Sequence, residues 1–456
     1  MGARQRRRQQ QQDPLVLSTT KLSHEGRGIA HHDGKVVFVD GALAGEEVLV
    51  RFTGSRSSYA EAEALEIRVA SPDRVVPACP HFGVCGGCSL QHLNSSAQLA
   101  FKEAVLHEKL EHAVAAGSYT RLPVIGGAVL GYRRKARLAV RWVGKKGKAL
   151  VGFREQSSSF ITDMDSCAVL DPRVGVLLPA LSALVSSLDA RDTLPQIEVA
   201  IGDPPYAGIA GGDCALVIRH LQPLSAADRD LFCEFGQQHA IDIYLQPQGP
   251  DSVHKLFPIE GLERLCYHLP DHNLTLAFHP LDFTQVNASI NRLMLQRALE
   301  LLELQSTDRV LDLFCGLGNF TLPIARLAGS VVGVEGSQAM VERGRENAAL
   351  NSIANAGFHC ADLTQPPEKH AFLRNGFDKI LLDPPRSGAQ EVLSALVALK
   401  PQRIVYVSCN PATLARDAGL LATLGYRLQA AGAMDMFPHT SHVEAIALFQ
   451  PAVRRA

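Results

Sequence analysis

Apolar positions along this chain of 456 residues follow two rhythms. From about residue 14 to 72, short runs at 35–40, 46–52 and 60–69 alternate apolar and polar residues between turn residues. A period of two is how a half-buried strand reads, and closely spaced short strands predict a small barrel. From about 275 to 451 the runs are apolar throughout, at 309–314, 330–335, 357–361, 379–382 and 403–408, with helix-length stretches between them. Strands covered on both faces and joined by helices predict a doubly wound parallel sheet. The last two runs, 426–434 and 442–449, have no helix between them and predict an antiparallel pair. Residues 73–115 hold clustered cysteines and then a polar helix from Ser95. The stretch 120–270 mixes strand-like runs (137–142, 196–201) with a helical run near 174–188 and gives no topology. Residues 1–13 carry arginine and glutamine without core formers, which predicts a disordered basic tail.

Charge narrows the picture. Lys and Arg number 45 against 46 Asp and Glu, so any nucleic-acid surface must be a local patch. In the predicted barrel Arg27, Lys35, Arg51, Arg56 and Tyr59 are the candidates, since such barrels hold single strands with basic and aromatic side chains. The densest internal patch is Tyr132 to Arg137, where an aromatic residue precedes Arg133, Arg134, Lys135 and Arg137. It is a candidate to grip an RNA backbone and stack a base. No window approaches the ~18 apolar residues of a membrane span. The basic N-terminus leads into no apolar run, so a cytoplasmic location is expected.

Three of the apolar runs deliver chemistry at their C-terminal ends, the edge where open parallel sheets bind ligands. The first runs into Asp312-Leu-Phe-Cys-Gly-Leu-Gly-Asn319, a glycine turn that lets backbone approach a ligand. The third glycine of a dinucleotide fingerprint is missing. The next run ends on Glu335, placed to bind ribose hydroxyls, and the one after leads to Asp362, placed for an adenine amino group. Acids rather than a phosphate cradle favour S-adenosylmethionine over a nicotinamide cofactor. The run 379–382 ends in Asp383-Pro-Pro-Arg386, similar to the loop of base-modifying methyltransferases, although arginine stands where an amine methyltransferase shows an aromatic residue. The run 403–408 ends on Cys409, before Asn410-Pro411.

Carbon 5 of uracil is a poor nucleophile. A thiolate adding to carbon 6 activates it, and a base must later remove the carbon-5 proton. Cys409 supplies the first group. Glu444, alone in an apolar terminal run, supplies the second, because an isolated carboxylate is costly to bury without a purpose. His279, Asn287 and Arg386 are further candidates to line the pocket. Separately, Cys79, Cys85 and Cys88 stand as C-x5-C-x2-C, a metal-site spacing that fits zinc or an iron–sulfur cluster, with His81 a possible zinc ligand.

These motifs are similar to those of the S-adenosylmethionine-dependent RNA uracil-C5-methyltransferases, over residues 14 to about 450. The resemblance implies an α/β multidomain protein: an OB-like TRAM barrel (14–72) that binds RNA, a central α+β domain with an iron–sulfur cluster (73–274), and a class I, Rossmann-like methyltransferase domain (275–456). It implies Cys409 as nucleophile and Glu444 as base. Gln285, Phe314, Asn319, Glu335, Asp362 and Asp383 would contact S-adenosylmethionine. Cys167 would join Cys79, Cys85 and Cys88 around a [4Fe-4S] cluster. The implied substrate is 23S ribosomal RNA, its uridine flipped into the site of a monomer. Transfer RNA or another ribosomal uridine, and a non-catalytic iron–sulfur RNA-binding protein, are the alternatives.

Overall fold

In the computed structural model, Val37 and Val39, Val48, Val50 and Phe52, and Ala60 and Ala62 fill one small core, as their alternation requires. They come from β3 (Gly28–His32), β4 (Lys35–Asp40), β5 (Glu47–Ser55) and β6 (Tyr59–Val69), joined by β1 (Leu15–Ser18) and β2 (Lys21–Leu22). The strand order is β1-β5-β6-β4-β3-β2. β1 pairs with β5, and β2, two residues later, pairs with β3. One bent segment therefore joins both edges, closing the sheet into a barrel without a free edge. The structure describes residues 13–115, 117–205, 212–261, 263–363, 365, 371–374 and 376–452. The expected tail lies outside the described residues, Asp13 apart.

After the cysteine-bearing segment, α1 (Ser95–Ala113) starts on Asn94, whose side chain accepts the Ala97 N–H. The short β7 (Thr120–Arg121) then leaves to pair with the far edge of the C-terminal sheet. A central sheet follows, formed by β8 (Lys135–Val143), β9 (Lys148–Gly152), β10 (Gln196–Ile201), β11 (Cys214–Arg219), β12 (Asp242–Gln246) and β13 (His254–Phe257). Its order is β13-β12-β11-β10-β8-β9, parallel only between β11 and β12. α2 (Pro172–Gly175), α3 (Leu178–Ser187) and α4 (Ala226–His239) complete this α+β unit, with Leu181, Val185 and Phe232 in its core.

The C-terminal part opens with the hairpin β14 (Leu265–Leu269) and β15 (Leu274–Phe278). Then come α5 (Ala288–Leu302), β16 (Arg309–Leu313), α6 (Thr321–Ala325), β17 (Ser330–Glu335), α7 (Gln338–Leu350), β18 (Ala356–Cys360), β19 (Lys379–Leu382), α8 (Gln390–Ala398), β20 (Arg403–Ser408), α9 (Pro411–Thr423), β21 (Tyr426–Met434) and β22 (Glu444–Pro451). Eight strands lie in the order β18-β17-β16-β19-β20-β22-β21-β7. β16 to β20 are parallel; β22 enters between β20 and β21, antiparallel to both. Two apolar cores cover the two faces, which is why the central strands read as unbroken apolar runs. α1 packs on α9 and β21, so a helix from the N-terminal half roofs the end of this sheet.

Successive strands run outward from β16 in one direction and from β19 in the other. Between them lies the topological switch point, where the crevice for a ligand opens at the strands' carboxyl ends.

Candidate active site and cysteine site

Register lines up the reactive residues along that edge. Leu313 pairs with both Val334 and Leu382, so Phe314, Glu335 and Asp383 follow as neighbours. Glu335 pairs with Cys360, and Asp362 follows beyond it, exposed. On the other side Ser408 pairs with Ala445 in the antiparallel ladder. The next residues outward are Cys409 and Glu444, facing each other across the two strand ends.

The glycine turn begins with a left-handed residue, Phe314 at φ 63°, followed by Gly316 at 54° and Gly318 at 99°. A non-glycine residue held there costs about 1–3 kcal/mol, a strain that collects at ligand sites. Glu335 steadies the turn: its Oε2 accepts the Gly316 N–H at 3.0 Å, and its Oε1 accepts those of Gly336 and Ser337. Asn319 forms a reciprocal amide pair with Asn291 of α5, and its Oδ1 also accepts the Tyr267 hydroxyl at 2.9 Å. What Asn319 retains for a cofactor is one amide hydrogen and its backbone. Gln285 is half-buried in the segment leading into α5. Asp362 accepts the Gln365 side-chain N–H at 3.2 Å. Under the turn, Asp312 is fully buried, and burial pushes its carboxyl up to about 8 despite the Thr321 hydroxyl at 2.5 Å.

Cys409 sits between β20 and the first turn of α9, a helix of 13 residues whose N-terminus favours a thiolate. Asn410 caps α9 by accepting the Ala412 N–H, and donates its own Nδ2–H to the Arg386 carbonyl at 3.1 Å. That bond ties the nucleophile turn to the Asp383-Pro-Pro-Arg386 loop. Asp417 of α9 reinforces it by accepting the Ala389 N–H and the Tyr406 hydroxyl. Burial, with the charges of Glu444 and Asp383, pushes the Cys409 thiol up to about 11, and only Arg386 among the neighbouring side-chain charges pulls it down. Burial pushes Glu444 up to about 8, helped by Asp383 and opposed by Arg386 and Lys102. Asp383 is pushed up to about 7 by burial alone. Burial thus brings the two carboxyls, Glu444 and Asp383, close to neutrality, where a general base can both accept and release a proton.

The cysteines of the second motif also meet. Cys79, Cys85, Cys88 and Cys167 line one small, tight cavity with Phe82, Phe153, Met164, Val169, Gln91 and Arg133. Burial pushes Cys88 up to about 12 and raises Cys85 and Cys167. His81 is not in that lining; its Nε2 accepts the Asp165 N–H at 3.2 Å. Among the described residues no group of three or more His, Cys, Asp or Glu is set as the cage of a single metal ion.

The RNA candidates fare unevenly. Arg27 is paired with Asp40 and Glu61 and lies over Phe38, and Arg51 is paired with Glu63. Lys35 donates to the Arg56 carbonyl at 3.0 Å. The run Tyr132–Arg137 is corrected more sharply. Tyr132 is buried, with its hydroxyl on the Pro438 carbonyl, and cannot stack a base. Arg134 and Arg137 are paired with Asp203 and Glu198, and Lys135 donates to the Pro280 and Asp282 carbonyls. Strand β8 begins inside this run, so its charges face partners on neighbouring strands and loops rather than one free face. Asn287 is likewise buried as the cap of α5, and His279 turns edge-on to Tyr244. Sequence reasoning missed Lys102 and Gln98 of α1, both fully or nearly fully buried. The signal was present: they extend the stripe Leu106 and Leu110 at spacings of four.

No helix among the described residues is long and apolar enough to cross a membrane. The family described as tRNA (Uracil-5-)-methyltransferase matches residues 264–451, and the TRAM domain matches 16–65. A solved structure of tRNA (uracil-54, C5)-methyltransferase from Pyrococcus abyssi, in complex with S-adenosyl-L-homocysteine, superposes with a TM-score of 0.72 at 25% identity, over 95% of this chain and 99% of that one. A relative from Hahella chejuensis, named 23S rRNA (uracil(1939)-C(5))-methyltransferase RlmD, is 52% identical over 98% of this chain and 99% of its own length. One of the same name from Alkalilimnicola ehrlichii is 53% identical over 98% of each. With half its residues shared along nearly its whole length, the chain belongs to the family of the 23S rRNA (uracil(1939)-C(5))-methyltransferases.

Proposed function

We propose that this protein methylates carbon 5 of a uridine in 23S ribosomal RNA, in the cytoplasm, with Cys409 as nucleophile and Glu444 as base. The observation that carries the reading is the β20–β22 register, which sets these two residues opposite each other beside Asp383. The target uridine leaves its stack to reach them, since the edge of a stacked base cannot meet the Cys409 sulfur. Cys409 loses its thiol proton to solvent and, as thiolate, adds through Sγ to carbon 6; the carbon 5–carbon 6 π pair moves to give an enolate whose carbon 5 is nucleophilic. S-adenosylmethionine, held by Gln285, Phe314, Asn319, Glu335, Asp362 and Asp383, supplies the methyl group when bound. Glu444 then takes the carbon-5 proton, the carbon 5–carbon 6 double bond re-forms, and the Cys409 sulfur leaves.

Cys79, Cys85, Cys88 and Cys167 fit a [4Fe-4S] cluster better than zinc. A tetrahedral zinc draws its sulfurs to about 4 Å from each other. These four thiols come from two separate segments around one mostly apolar pocket, the set the iron–sulfur reading requires, and burial makes Cys85, Cys88 and Cys167 costly to ionise without a bound metal. When bound, the cluster supplies a crosslink between the segment 79–88 and Cys167. Residues 14–72 serve as the RNA-binding barrel, 73–274 as the central domain and 275–456 as the methyltransferase domain.

The test is transfer of label from S-adenosylmethionine to ribosomal RNA from a strain lacking this modification, followed by mapping. Absence of 5-methyluridine would sink the reading. Label in transfer RNA alone would favour the substrate named for the Pyrococcus abyssi neighbour. Glu444→Gln is expected to slow turnover about 10²–10⁴-fold and to accumulate a covalent RNA–protein adduct.

A further inference from the structure

Glu444 enters β22 from residues 435–443, a connection without helix or strand. That connection is held from outside the methyltransferase sheet. Lys102 of α1, with no exposed surface, donates from Nζ to Asp435 Oδ1 at 2.5 Å and to the Phe437 carbonyl at 2.9 Å. One turn earlier on the same face, Gln98 accepts the His439 N–H at 2.8 Å and meets the His439 ring at Nδ1. The N–H groups of Ser89 and Leu90 both donate to the His439 carbonyl at 2.9 Å.

Packing alone does not call for these residues. Leu106 and Leu110 continue the same stripe, and an apolar side chain at 102 would satisfy the helix-on-sheet contact. A buried lysine is retained at a cost in desolvation, and an apolar replacement of such a pair is often neutral for stability. Its location relative to the reacting groups is what distinguishes it. Glu444 faces Asp383 and Arg386 from the loop after β19, Cys409 from the end of β20, and Lys102 from α1. Lys102 in turn faces Asp435, His439 and His442 on the connection itself, and burial holds both histidines below their ordinary range.

We propose that Lys102 is a positioning residue for Glu444: with Gln98 it straps residues 435–439 to α1, so that Glu444 enters β22 facing Cys409. The proposal rests on the reading of Glu444 as the base. Without the strap, the base loses both its orientation and the cation that favours its ionised form, while Cys409 and the cofactor edge remain in place.

The experiment compares Lys102→Met and the double replacement Lys102→Met with Asp435→Leu, in the full chain. The double replacement removes both buried charges at once and so guards against misfolding of the single one. Readouts are S-adenosylmethionine binding by calorimetry, adduct on denaturing gels, and kcat against pH. Both variants are expected to bind the cofactor as the parent does and to accumulate adduct. Their kcat near neutral pH should fall at least about tenfold, with its acid limb moved up by about one pH unit. Unchanged kcat and pH limb overturn the proposal, as does parental kcat in the double replacement. Loss of cofactor binding in both variants would make the pair a folding device and also overturn it. Glu444→Gln is assayed alongside. If it accumulates no adduct, the base reading falls and takes the proposal with it; if it does and the Lys102 variants do not, only the proposal falls.

Discussion

Burial favours the neutral thiol at Cys409 and at Cys85, Cys88 and Cys167, which with Cys79 form the second sulfur group, yet the surroundings of the two diverge. Around Cys409 stand two acids, an arginine and the start of a long helix. Around the four stand one another, a mostly apolar wall, and Gln91 and Arg133. A lone thiol with a carboxylate opposite can add to a carbon and later be released. Four thiols facing one pocket are the set that the proposed cluster would need to bind. Residue type and burial are shared; what divides a nucleophile from a ligand is what else the fold points at the sulfur.

The sharpest way to break this division is to delete one sulfur from each site. Cys409→Ala should take methylation to background and abolish the RNA adduct, while iron and sulfide stay bound in protein purified without oxygen. Cys167→Ala should do the reverse, with iron lost and the melting temperature lowered while Cys409 stays chemically intact. Stoichiometric zinc in the parent would contradict the cluster.

Acidity separates the steps next. In the proposed role of base Glu444 must be ionised, and burial pushes its carboxyl up to about 8. Turnover should therefore fall as pH drops below about 8, with adduct building up, because the carbon-5 proton has no acceptor. Adduct formation should itself rise with pH across the accessible range, since the Cys409 thiol ionises only toward about 11. A turnover rate indifferent to pH between about 6 and 8 would remove Glu444 from the role. The smallest effect concerns Tyr132. Tyr132→Phe should cost about 1 kcal/mol of stability through its lost hydrogen bond and leave RNA affinity unchanged. A large loss of RNA affinity in a gel-shift titration would restore it as a stacking residue.

Much of this was legible in the chain. Unbroken apolar runs at 309–314, 379–382 and 403–408 identify strands covered on both faces, and strand ends are where such sheets bind ligands. Glu335, Asp383 and Cys409 were therefore locatable before any packing was known, and Glu444 stood out as the lone carboxylate of an apolar run. The run Tyr132–Arg137 misled because charge density says nothing about which way side chains face. Once β8 starts within it, alternate residues turn to opposite sides, toward Asp203, Glu198 and the Pro280–Asp282 turn. Lys102 was passed over because in a polar helix one more lysine looks solvated, although its place in the Leu106–Leu110 stripe marks the face that the fold buries, with its ammonium on Asp435 and the Phe437 carbonyl.

By itself, then, the sequence determined the local elements of the barrel and the C-terminal sheet and where their chemistry-bearing residues fall, because periodicity and strand ends are short-range properties. The tertiary structure alone decided which groups meet. Cys409 and Glu444 are 35 positions apart, and β22 brings them together by slipping antiparallel between β20 and β21. Lys102 comes more than 300 positions from the loop it holds. Pairings over such separations depend on how whole elements bury their faces against one another, and no short window of sequence encodes that.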